Sequence, residues 1–84
     1  MHIAANNVTI ENSSITGSNS AGLCVGINNN IHGTQLLHDT IAGVGDGSSS
    51  VEYAVVDYGT GTQLVGDYLH WCTECFYGSQ GSIT

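Results

Sequence analysis

Hydrophobic and polar side chains alternate over short stretches of the chain. The alternation is clearest at residues 8–10, 23–27 and 51–55, where aliphatic or aromatic side chains occupy every second position. A period of two is typical of β-strands with one buried face, whereas a helix would show a longer period. Frequent Gly and β-branched residues at the periodic positions also disfavour helices. The pattern predicts an all-β fold made of short strands.

An internal repeat organises these strands. The sequence Gly-Thr-Gln-Leu at 33–36 recurs at 61–64, and a weaker copy lies upstream, around Ile10. One copy is too small to bury a hydrophobic face alone, so the copies are expected to stack with equivalent strands paired. The expected inward columns are Ile10, Leu36 and Leu64; Ile15, Ile41 and Leu69; and Leu23, Val25 and Ile27 over Val51, Tyr53 and Val55.

One turn of the repeat can be predicted from single residues. Two positions after the first inward residue of each copy stand Asn12, His38 and Gly66. These residue types tolerate the left-handed backbone conformation, which turns a strand sharply without a long loop. We therefore expect a positive φ at all three positions. The longest interruption of the pattern, at 44–50, is expected to be a loop between strands.

Two parts of the sequence resemble a known architecture. Residues 7–17 (NVTIENSSITG) have the order strand, Asn turn, strand, and residues 75–84 have the pattern of a further coil beginning. Over residues 6 to 84 the chain resembles the right-handed parallel β-helix of the pectate-lyase-like superfamily. The resemblance implies an all-β solenoid of about three coils within a single β-helix domain, at approximately 6–31, 32–59 and 60–84. Each coil would have about 26–28 residues, a length within the range of solenoid repeats. The resemblance also implies a protein that binds or acts on polysaccharide.

Composition narrows the classes of function. The chain has no Lys or Arg and seven acidic residues, which gives a formal net charge of −7. Without a basic patch to neutralise phosphates, nucleic-acid binding and a cationic membrane-surface helix are both excluded. The apolar runs are too short for a membrane span. A negative surface rich in Asn, Ser and Thr indicates a secreted or cell-surface protein, and favours a neutral glycan over an anionic one.

The same composition bears on catalysis. Lyases of the resembled superfamily typically use a basic residue at the reacting carbon, and this chain has no Lys or Arg. We therefore expect no catalytic residue in this segment, although a parent polysaccharide lyase or glycoside hydrolase could carry its own in other coils. Because neither end shows a polar cap, we expect a piece of a longer solenoid whose partners include the flanking coils. The alternative is a purely structural solenoid of an adhesion, surface or spike-like protein.

The candidate substrate-binding residues are Asp39, Asp67, Tyr68 and Trp71. Asp39 and Asp67 share one repeat position, so stacking would place them about one strand spacing (~4.8 Å) apart. Such a pair could bind Ca²⁺, act as general acid and base, or be ordinary solvated turn residues. Apart from this Ca²⁺, no cofactor is expected. The aromatic residues could stack on sugar rings or cover a thin core.

The three cysteines allow several interpretations. His70, Cys72 and Cys75 have the spacing of half a zinc site, while Cys24 stands apart in the sequence. Residues three apart on a continuous strand point to opposite faces, so a disulfide between Cys72 and Cys75 would need a turn. Zinc binding, a disulfide and buried free thiols are all compatible with the sequence.

Overall fold

A computed structural model describes residues 1–17, 22–43, 53–78 and 81–83. Residues 81–83 are described by their backbone only. Every regular element within these ranges is a β-strand, which confirms the predicted all-β class. The strands are β1 (His2–Ile3), β2 (Thr9–Glu11), β3 (Ser14–Thr16), β4 (Leu23–Ile27), β5 (Gln35–Leu37), β6 (Thr40–Ala42), β7 (Tyr53–Asp57), β8 (Thr62–Val65), β9 (Tyr68–His70), β10 (Phe76–Gly78) and β11 (Gly81–Ile83).

The strands form three parallel sheets, and the chain visits the sheets in rotation. Sheet 1 has the order β1-β4-β7-β10, sheet 2 has β2-β5-β8-β11, and sheet 3 has β3-β6-β9. All of the pairings are parallel. We call one circuit through the three sheets a coil. This arrangement is compatible with a β-solenoid and consistent with a parallel β-helix.

The predicted inward columns of sheets 2 and 3 are confirmed. Leu36 lies opposite Ile10 on one side and Leu64 on the other. In sheet 3, Ile41 lies opposite Ile15 and Leu69. Leu36 and Ile41 are completely buried, because both belong to the middle coil and are covered from two sides. The core therefore runs along the stack rather than sitting within one coil.

The predicted column of sheet 1 is wrong by two residues. Leu23 lies opposite Tyr53 and Val25 opposite Val55, whereas the repeat places Val51 and Tyr53 there. The connection between β6 and β7 is longer than its counterpart between β3 and β4, and this shifts the register. A shift of two residues preserves which side chains face inward, so the core is kept. The predicted loop at 44–50 and Val51 lie outside the described residues.

The predicted left-handed turn is present in all three coils. Asn12, His38 and Gly66 have φ values of 53°, 56° and 66°. A second left-handed column, not anticipated from the sequence, precedes sheet 2 and consists of Asn7, Gly33 and Gly61. Each coil thus turns by single residues on both sides of sheet 2, which keeps its connections short.

Further strands pair with the three coils at both ends of the stack. β1 adds the buried Ile3 to sheet 1, ahead of the first copy of the repeat. β10 and β11 pair with β7 and β8, which confirms that a further coil begins after residue 75. Among the residues described, no helix has the length and apolar character needed to traverse a bilayer.

Candidate functional site

The left-handed turn that follows sheet 2 carries the two aspartates singled out from the sequence. The Ser13 backbone N–H donates to Oδ1 of Asp39 at 2.9 Å, and the Asp39 backbone N–H donates to Oδ1 of Asp67 at 2.7 Å. Each carboxylate therefore accepts a hydrogen bond from the turn of the preceding coil. Asp39 is 1% exposed and Asp67 is half-buried. Both side chains bind neighbouring coils together, which is the role of a turn residue.

The second oxygen of each carboxylate is buried and unpartnered within the described part of the chain. Burial raises the pKa of Asp67 above its ordinary value. The hydrogen bond from the Asp39 N–H opposes this rise, the negative charge of Asp39 adds to it, and His38 opposes it. The carboxyl of Asp67 therefore binds its proton more tightly in the folded protein than in the unfolded chain.

Three aromatic side chains form a continuous ring row along and just after β9. The rings of Tyr68 and His70 stack with centroids 4.3 Å apart and planes inclined by 14°. The indole of Trp71 lies 5.9 Å from His70, at 40°. Tyr68 is 62% exposed and Trp71 is 47% exposed. The structure thus joins the two predicted aromatic residues through His70, and we call Tyr68, His70 and Trp71 the ring row.

Local sequence explains why these rings come together. Residues 68 and 70 project to the same face of a strand, while Leu69 between them lies opposite Ile41 in the core column. The parity of the strand therefore places both rings outside. From the sequence, His70 is a candidate only as a zinc ligand, although the same alternation rule could have placed it between the two aromatic residues once β9 was located.

Trp71 adopts a backbone conformation that is unusual for a large side chain. Its φ is 55°, in the left-handed region that bulky residues avoid. The register of sheet 3 makes Trp71 equivalent to Gly43 and Gly17, which follow Ala42 and Thr16. The third coil therefore has an exposed indole where the first two have glycine. The left-handed backbone of Trp71, which Gly17 does not share, costs about 1–3 kcal/mol.

A disulfide lies directly after Trp71. Cys72 and Cys75 are bonded across the connection between β9 and β10, which supplies the turn that this pairing requires. Cys24 is a free, buried thiol that donates to the carbonyl oxygen of Ala42 at 3.2 Å. Burial raises the pKa of Cys24, so its nucleophilic thiolate is disfavoured. Of the interpretations left open by the sequence, the structure has a disulfide for Cys72 and Cys75 and a buried free thiol for Cys24.

Metal coordination was a further alternative for these side chains. No group of three or more His, Cys, Asp or Glu side chains suited to a metal ion occurs within the described residues. Zn²⁺ usually has three or four protein ligands and Ca²⁺ six to eight oxygen ligands. Asp39 and Asp67 alone supply a small part of such a set. Binding of Ca²⁺ to this pair stays a prediction.

Comparison with protein-family models, with curated proteins and with solved structures finds no match to this chain. Its function is therefore inferred from the ring row and the residues around it.

Proposed function

We propose that the chain is a segment of a secreted or cell-surface, right-handed parallel β-helix protein of the pectate-lyase-like type that binds a neutral polysaccharide. The observation that carries the proposal is the exposed ring row on β9. Pyranose rings present faces of C–H groups that pack well on aromatic rings, while their hydroxyls stay in water. Tyr68 and Trp71 offer such ring surfaces, and the ring of His70 lies between them.

The position of the ring row supports binding by a preorganised surface. Tyr68 is anchored by its backbone N–H, which donates to the carbonyl oxygen of Asp39 at 2.8 Å. The disulfide at Cys72–Cys75 restrains the chain on the other side of Trp71. Rings held on a strand and beside a crosslink lose little conformational freedom when a ligand binds, which improves affinity.

Charge supports a neutral glycan. The net charge of −7 would repel a polyuronate, whereas a neutral polysaccharide meets no such barrier. The two carboxylates of the predicted site, those of Asp39 and Asp67, are engaged by backbone N–H groups of neighbouring coils. This engagement supports a binding role without turnover for the segment, since a general acid or base needs access to the substrate.

Affinity electrophoresis of the purified chain in gels containing a neutral β-glucan or polygalacturonate tests the proposal. We expect retardation by the neutral polymer, and loss of that retardation in Tyr68→Ala and Trp71→Ala. Tyr58→Ala is the matched control, because Tyr58 is 58% exposed but follows β7 in sheet 1. Equal retardation of all variants, or a preference for polygalacturonate, would refute the role of the ring row.

A structural solenoid is the second candidate, and a specific observation favours it. Polar side chains form ladders between coils on the exposed face of sheet 2: Thr9 donates to Gln35 at 3.1 Å, and Gln35 donates to Gln63 at 3.0 Å. Such ladders stabilise the stacking of the coils. Absence of retardation by any glycan, with an intact β-sheet spectrum, would favour this candidate.

A further inference from the structure

A cleft lies at the end of sheet 1, on different strands from the ring row. It has a volume of about 410 Å³ and is lined by Asp57, Tyr58, Phe76, Tyr77 and Gly78. These residues come from the end of β7 and from β10, whose register places Gly78 opposite Asp57. The cleft therefore combines one acidic residue with three aromatic residues.

Asp57 is buried without a full set of partners. It is 1% exposed, and its Oδ1 accepts a hydrogen bond from the Gly59 N–H at 2.9 Å. Its Oδ2 has no hydrogen-bond partner within the described part of the chain. A buried carboxylate oxygen left in this way is costly, so a ligand that compensates its charge would be stabilised there. The chain itself has no Lys or Arg to do so.

The aromatic side chains suit the same kind of ligand. Tyr77 contacts Tyr58 with ring centroids 6.3 Å apart in an edge-on arrangement, and Tyr53 at 5.5 Å. The electron-rich faces of tyrosine rings attract cations. Tyr58 and Tyr77 are 58% and 47% exposed, so both rings are accessible at the mouth of the cleft.

Gly78 lines the cleft where there is little room for a side chain. A Cβ at this position would lie 2.9 Å from the carbonyl oxygen of Asp57 and 3.1 Å from the ring of Phe76. Any other residue would push these two groups apart or fill the space between them. The absence of a side chain at Gly78 thus lets the ring of Phe76 and the backbone of Asp57 lie close to each other.

We propose that this cleft binds an organic cation of the quaternary ammonium class, with Tyr58, Phe76 and Tyr77 as the aromatic walls and Asp57 as the counter-charge. A hard metal ion fits poorly, because it requires several oxygen ligands and the cleft offers one carboxylate. An ammonium group with methyl substituents uses both features of the site: its methyl groups pack on the rings and its charge is balanced by Asp57.

Calorimetric titration of the full chain with choline chloride tests the proposal, with sodium chloride added to keep ionic strength constant. The neutral control is 3,3-dimethyl-1-butanol, which has the shape of choline without its charge. We expect saturable choline binding and at least about tenfold weaker binding of the alcohol. A glycan-binding result at the ring row has no bearing on this outcome.

Variants assign the binding to the cleft. Asp57→Asn retains an oxygen to accept the Gly59 N–H bond and removes only the charge, while Tyr77→Leu removes an exposed ring. Each is expected to weaken choline binding about tenfold, and Tyr68→Leu in the ring row to leave it unchanged. If Asp57→Asn loses its β-sheet spectrum, Tyr77→Leu decides the test. No saturable binding, equal binding of the alcohol, or binding unchanged in Asp57→Asn and Tyr77→Leu overturns the proposal.

Discussion

The left-handed turn before sheet 2 offers a direct test of how the coils stack. Gly33 and Gly61 occupy it in successive coils, with φ values of 80° and 65°. A Cβ on Gly33 would overlap Oδ1 of Asn7 in the preceding coil, whereas a Cβ on Gly61 would meet only Gly33 N, at 3.8 Å. The two Gly→Ala substitutions therefore share a backbone penalty, and only Gly33→Ala adds a steric one.

The expected magnitudes follow from these two terms. A Cβ in the left-handed conformation costs about 1–2 kcal/mol, which is the full cost predicted for Gly61→Ala. Displacing the exposed Asn7 side chain from its preferred rotamer costs about 0.5–1.5 kcal/mol more. Gly33→Ala should therefore lower the free energy of unfolding by about 1.5–3.5 kcal/mol. A chain of this length has a total of about 4–13 kcal/mol, so both effects are measurable.

Urea denaturation followed by circular dichroism provides the measurement, and a double-mutant cycle isolates the steric term. Asn7→Gly removes the obstructing side chain while keeping a residue that accepts φ 59°. In the Asn7→Gly background, Gly33→Ala should lower the free energy of unfolding by the same amount as Gly61→Ala does in the natural chain. The m-value should be the same in all variants, since the surface exposed on unfolding does not change.

Two results would refute this account of stacking. Equal losses for Gly33→Ala and Gly61→Ala would mean that Asn7 does not lie over Gly33. A coupling near zero in the Asn7 and Gly33 cycle would have the same meaning. Either result would remove the support for stacking the Asn7 turn directly on the turn at His32 and Gly33, where the Asn7 N–H donates to the His32 carbonyl oxygen.

Two further predictions concern pH and redox state. Because the pKa of Asp67 is raised in the folded protein, the folded state binds more protons than the unfolded chain between the ordinary aspartate pKa and the raised one. The stability contributed by this group should be fully present below the ordinary pKa and lost as pH rises through the folded pKa. Asp67→Asn, which keeps an acceptor for the Asp39 N–H, should remove that slope when urea midpoints of both proteins are compared from about pH 3 to about pH 7; an unchanged slope would contradict the assignment. Reduction of Cys72–Cys75 should lower the free energy of unfolding by only about 2 kcal/mol, because the closed loop is short. Urea midpoints with and without reductant measure this, and global unfolding on reduction would contradict it.

The sequence predicts sheets 2 and 3 accurately because two independent signals agree there. The hydrophobic repeat aligns Ile10 with Leu36 and Leu64. Two residues after each of these comes a left-handed position, at Asn12, His38 and Gly66. A strand that slipped by one residue would expose its inward side chain and misplace its turn. Side-chain burial and backbone conformation therefore select the same register.

Sheet 1 is less predictable because its register depends on loop length. The residues between Ala42 and Tyr53 carry few hydrophobic side chains, so the repeat offers no landmark for where β7 begins. A shift of two residues leaves the inward and outward faces unchanged, and the hydrophobic pattern cannot distinguish the two registers. Only the pairing of Val25 with Val55 settles the offset.

The candidate sites are less predictable still, because they join residues that no repeat relates. The cleft needs Asp57 and Tyr58 from one coil beside Tyr77 from the next, and the shortened offset between β7 and β10 brings them together. Nothing in the sequence alone selects Asp57 as a site residue. Its burial follows from the shift in sheet 1, which places it opposite Ile27 in the column.

Trp71 breaks the repeat within the proposed ring row. The first two coils place Gly17 and Gly43 at this point of the stack, where they fit without strain from a side chain. The third coil has the indole of Trp71 at this point, with a φ of 55° and about half of its surface exposed. Partial burial of the indole therefore offsets only part of the free energy lost to backbone strain. A strained residue that extends a row of exposed rings supports the proposed binding role of the ring row, because local rules of folding are most often broken at functional sites.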